Sequence, residues 1–97
     1  MAGVLNTRRV AWEAARVFVE ASTADAYWWL GDMITRHLGV VYQLKLTETR
    51  MHILENDAAT VAETGMWRAR FDELLSERPD MTPLIADLTK KTVARLP

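Results

Sequence analysis

Only four glycines and three prolines interrupt this 97-residue chain. That scarcity of breakers constrains the fold more than any other feature. A sandwich or barrel of short strands needs frequent turns, and turns recruit Gly and Pro. Here the long stretches between breakers are filled by Ala, Leu, Glu, Arg and Met, which favour helix. The reading is an all-α chain, a compact four- to five-helix bundle with short connections, forming a single domain over residues 1–97. A hydrophobic content of 49% suits a globular core of modest size.

The apolar spacing places the helices. Over 8–20, Val10, Ala14, Val17, Phe18 and Ala21 share one face, with Asn6 or Thr7 as the cap. Trp12, Ala15 and Val19 add a second apolar strip, leaving a narrow polar strip of Arg9, Glu13, Arg16 and Glu20. A helix of this kind is expected to be covered on more than one side. A second helix is expected over 23–38. Ser22 and Asp25 resemble a capping box, Gly39 is placed to end the helix, and Tyr27, Leu30, Ile34, Leu38 and Val41 form the core stripe. Asp32 and Arg36 are spaced to pair on the solvent side.

Residues 40–55 read two ways. As a helix they align Val40, Leu44, Thr47, Met51 and Leu54; as a strand, Tyr42, Leu44 and Leu46 alternate with Gln43, Lys45 and Thr47. The longer helical pattern is favoured. Asn56-Asp57 then marks a turn, and a fourth helix is expected over 58–77, with Thr60 and Glu63 as a possible capping box and Val61, Trp67, Phe71, Leu74 and Leu75 as its apolar line. Arg78-Pro79-Asp80 ends it. Thr82-Pro83 opens a fifth helix carrying Met81, Leu84, Ile85 and Leu88, which frays from Lys90 and Lys91 onward.

Little in the chain points to chemistry. With no cysteine there is no disulfide, thiol nucleophile or Cys-based zinc site. Of the two histidines, His37 has no ligand-type neighbour at helical spacing. His52 has Glu48 four residues before it and Glu55 three after. That trio could touch a metal, but ordinary contacts on a polar face explain it as well, and a metal site needs further converging ligands. Ser22 and Ser76 are the only serines, and no nucleophile elbow, phosphate loop or dinucleotide fingerprint occurs. The expectation is a non-enzyme with no catalytic residue, cofactor or metal.

Twelve basic against thirteen acidic residues give a net charge of −1. Nucleic-acid binding, which leans on a basic excess, is not expected. No secretory leader or membrane-spanning stretch is visible, so a cytoplasmic location is expected.

The four tryptophans carry the strongest functional hint. Trp67 falls in the apolar line of helix four, whereas Trp12, Trp28 and Trp29 lie off the main stripes of their helices. Adjacent helix positions turn by about 100°, so Tyr27, Trp28 and Trp29 cannot all face one core. Interfaces are enriched in such residues. The expected contact surface is Trp12, Val19, Tyr27, Trp28, Trp29 and Met33, serving self-association or a protein partner. The alternative is a membrane-surface protein that lays the Tyr27-Trp28-Trp29 cluster at a headgroup boundary.

The run Leu46-Thr47-Glu48-Thr49-Arg50, then Trp67-Arg68-Ala69-Arg70-Phe71, Leu74-Leu75, Pro79 and Leu84 through Leu88 resembles uncharacterised small helical proteins of actinobacteria. The likeness covers mainly the C-terminal half and departs in the aromatic-rich second helix. It implies a helical adaptor and carries over no catalytic residue. The resulting expectation is an interaction or assembly module: a homo-oligomer, or a subunit or adaptor of a larger bacterial or phage complex.

Overall fold

The computed structural model describes residues 6–97, and these form five α-helices joined by very short connections. They are α1 (Thr7–Ser22), α2 (Ala26–Leu38), α3 (Val40–Glu55), α4 (Thr60–Glu77) and α5 (Thr82–Val93). Single 3₁₀ turns at Asp57–Ala59 and Pro79–Met81 precede α4 and α5. No strand occurs among the described residues, so the strand pattern of 40–47 is not used.

Helix α1 is the axis of the bundle, and every other helix packs against it. Its sequence explains why. Ala11, Ala14, Ala15 and Ala21 are fully buried, and such small side chains let neighbouring helices approach closely. Phe18 supplies the bulk, meeting Phe71 edge-on at 5.2 Å and Trp67 at 6.0 Å. The core extends through Leu30 and Ile34 of α2, Leu46 of α3, Leu75 of α4 and Ile85 and Leu88 of α5. The Asn6 side chain accepts the backbone N–H of Arg9 at 3.0 Å and so caps α1 as its sequence implies.

Several boundaries differ from the sequence expectation, each for a local reason. Ser22 ends α1 instead of capping α2. Its hydroxyl is buried and donates to the Val19 carbonyl at 2.6 Å. Asp25 makes no side-chain cap, and α2 begins at Ala26. Thr60 and Glu63 form no capping box. The Thr60 hydroxyl turns back to the Asp57 carbonyl at 2.7 Å, and Glu63 points inward. Val61 leaves the apolar line of α4 and is 83% exposed, because six residues of helix set it about 120° from Trp67. Helix α5 continues past Lys90 to Val93 because Thr89 and Thr92 are buried. Both satisfy their hydroxyls by donating to carbonyls four residues back, each at 2.7 Å. Asp32 and Arg36 are exposed on α2 but form no ion pair.

Gly39 alone separates α2 from α3, and its φ of 97° with ψ of 169° is a conformation suited almost solely to glycine. Its N–H reaches the Ile34 carbonyl at 3.0 Å. A Cβ added there would touch nothing within 4 Å, so the cost of a substitution is purely one of backbone. Gly39→Ala is therefore expected to destabilise by about 1–3 kcal/mol. Gly65→Ala, in open space within α4, is expected to stabilise by about 0.5–1 kcal/mol. Urea unfolding followed by circular dichroism would show the opposite signs.

Candidate interaction surface and its buried support

Helix α3 carries two apolar stripes that interleave. Tyr42, Leu46, Thr49 and Ile53 recur at steps of four, three and four residues. Val40, Leu44, Thr47, Met51 and Leu54 recur with the same alternation, starting two residues earlier. Two residues correspond to about 200° of helix rotation, so the stripes lie on opposite faces. Only one can face α1. Leu46 and Thr49 are fully buried, with Tyr42 and Ile53 packed beside them. The stripe expected to unify this helix is the outer one. Val40, Val41, Leu44, Met51 and Leu54 are 53–62% exposed. Val41, expected in the core stripe of α2, belongs to this exposed set because Gly39 breaks that helix before it.

What turns the inner face inward is a polar network between α3 and α4. The Glu63 carboxylate accepts from the Thr49 hydroxyl at 2.6 Å and from His52 Nδ1 at 2.9 Å. The Trp67 indole N–H donates to the same Thr49 oxygen at 2.8 Å. Thr49 thus takes one hydrogen bond and gives another, as a buried hydroxyl should. Burial pushes the Glu63 carboxyl upward. The hydrogen bonds from Thr49 and His52, together with the charges of His52 and Arg70, outweigh it and hold the carboxyl below its ordinary value. Arg70 lies over the Trp67 ring at 5.0 Å, and its Nη1 is buried without a hydrogen-bond partner.

This network replaces the trio read around His52. Glu48 pairs with Lys45 at 3.6 Å, Glu55 is exposed, and the partner of His52 comes from α4. No group of three potential metal ligands converges among the described residues. His37 is exposed. Glu63 was missed as a core residue, although a signal existed. It stands four residues before Trp67, which stands four before Phe71 and eight before Leu75, so it heads the buried line of α4.

The six residues expected to form a contact surface are not brought together as one. Val19 and Tyr27 are core residues, 2% and 6% exposed, because α1 and α2 are covered on the sides that carry them. The Tyr27 hydroxyl bonds Thr47 at 2.8 Å. Trp29 and Met33 are half-buried against the core, with the Arg95 guanidinium 3.8 Å over the Trp29 ring. Trp12 and Trp28 do reach the surface, at 42% and 68%, but on different sides. Trp12 lies by Arg68 and Asp72 of α4, and Trp28 by Arg50 of α3. Trp28 therefore borders the exposed stripe of α3. Of Tyr27, Trp28 and Trp29, only Trp28 is exposed, so the three rings do not share one open face. No described helix is long and apolar enough to cross a membrane. Comparison with protein-family models, with characterised proteins and with solved structures found no match.

Proposed function

We propose that this chain is a non-catalytic assembly module that associates with a second copy along the outer face of α3. One observation carries the reading: α3 already turns one stripe into the core through Leu46 and Thr49 and still exposes Val40, Leu44, Met51 and Leu54 of a second stripe of the same period. The outer stripe spans fifteen residues from Val40 to Leu54, about 21 Å of helix. Its alternating steps of four and three are the spacing by which helices interlock side chains. A two-fold axis beside α3 sets the stripe against itself, as closed dimers require. Aromatic Trp28 extends the patch at its edge, where interfaces favour such residues.

The flanks favour one orientation. Glu48 and Glu55 line one side of the stripe, Gln43 and Arg50 the other. Parallel pairing sets the glutamate side of one helix against the Gln43 and Arg50 side of its mate. Antiparallel pairing would oppose like charges.

The test is light scattering across concentration on the wild type and on a Leu44→Glu/Met51→Glu double variant. Both side chains are exposed, so the variant is expected to keep its folded stability while losing self-association. A wild type that stays monomeric at the highest attainable concentration would overturn the reading.

A further inference from the structure

Four of the chain's twelve basic residues gather at one place, although the net charge is −1. Arg8, Arg9 and Arg16 of α1 and Arg68 of α4 line a shallow cleft of about 410 Å³ together with Trp12 and Glu13. The guanidinium groups of Arg8 and Arg68 lie 5.2 and 4.9 Å from the centre of the Trp12 ring. That ring is steadied by its own N–H, which donates to the Asp72 carboxylate at 3.3 Å. A guanidinium resting on an aromatic ring still presents the donors along its edge.

These cations are poorly compensated. No carboxylate among the described residues comes within 4.0 Å of Arg8, Arg9 or Arg68, and Arg16 meets Glu20 only at 3.9 Å on the open surface. Arg8 and Arg9 occupy the first turn of α1, which holds no acidic residue. Cations destabilise at that end of a helix. Glu13 and Asp72 temper the charge without neutralising it. Clustered arginines that break a local rule and are only partly offset within the chain point to a ligand that supplies the missing charge.

We propose that this cleft binds a phosphate-type anion, with Arg8, Arg9 and Arg68 donating to its oxygens and Trp12 holding two of those arginines in place. Arginine suits this ligand because its planar fork matches two phosphate oxygens at once. The anion is carried either by a free small molecule or by a phosphorylated peptide. The site lies on α1 and α4, so it stands independently of pairing through α3.

Calorimetric titration at low ionic strength tests it, with inorganic pyrophosphate in one arm and a phosphoserine peptide beside its unphosphorylated form in another. Saturable binding in either phosphate arm is expected, with the tighter arm naming the source. Arg8→Gln/Arg68→Gln is expected to weaken binding by about tenfold or more. Lys90→Gln/Lys91→Gln, which removes the same charge from α5, is expected to change it less than about twofold. Both pairs are exposed, and circular dichroism would verify that each variant folds. No saturable heat in either phosphate arm, or equal weakening by the two variants, would overturn the proposal.

Discussion

Trp67→Ala is expected to cost about 3–5 kcal/mol, among the largest effects of any side-chain truncation in this core. Trp67 is fully buried and is the largest side chain in the core. Its ring meets Phe18 at 6.0 Å, Phe71 at 5.4 Å and Tyr42 at 6.4 Å, so it joins α1, α3 and α4 at one point. Truncation removes this contact area and leaves a cavity that three helices would have to close. A domain of this size is stable by about 5–15 kcal/mol in all, so the variant would be close to unfolding. Trp67→Phe separates the two roles of the indole. It keeps most of the ring but removes the donor to Thr49, and is expected to cost about 1–3 kcal/mol. Urea unfolding of the three proteins gives the comparison. A Trp67→Phe variant as damaged as Trp67→Ala would mean that the hydrogen bond, not the packing, dominates.

Glu63→Ala is expected to cost about 2–3 kcal/mol near neutral pH, a large effect for a residue that reads in the sequence as part of a capping box. The change leaves the Thr49 hydroxyl without its acceptor, His52 without its carboxylate and Arg70 with less compensating charge beside it. Stability should also depend on pH through this group. Its carboxyl titrates lower in the folded chain than its ordinary 4.5, so the folded state favours the ionised form. The stabilisation is complete above the unfolded value and is lost as pH falls through the folded one. Wild type and Glu63→Gln should therefore converge in stability as pH falls below the ordinary value of 4.5. A stability difference that stays constant across that fall would rule out the carboxylate as its source. Tyr42, held above its ordinary value by burial first and by the nearby Glu73 and Glu77 charges, titrates far outside this window and does not confuse the reading.

The outer stripe of α3 and the arginine cleft have different standings in the sequence. The outer stripe was visible as a periodic line, but its direction was not. Val40, Leu44, Thr47, Met51 and Leu54 satisfy the helical period as well as Tyr42, Leu46, Thr49 and Ile53 do, and each stripe carries one threonine among apolar residues, so composition does not tell them apart. The arginine cleft was not visible as a cluster. Arg8 and Arg68 are sixty residues apart, and only the packing of α4 on α1 places both at Trp12. The aromatic hint was half informative. Trp12 and Trp28 do stay at the surface, whereas Tyr27 and Val19 turn into the core.

By itself the sequence determined that the described chain is helical, roughly where each helix runs and that α1 must be covered on several sides. These are local properties: scarce breakers, an Asn6 cap, a glycine at the one position with positive φ among the described residues, and alanines along α1. Tertiary structure alone decided which face of α3 turned inward and which carboxylate was buried. Both outcomes depend on partners eleven to eighteen residues away, Glu63 for His52 and Thr49, Trp67 for Thr49. A buried hydroxyl or carboxylate is tolerated only where such partners meet it, and periodicity within one helix holds no record of what lies across from it.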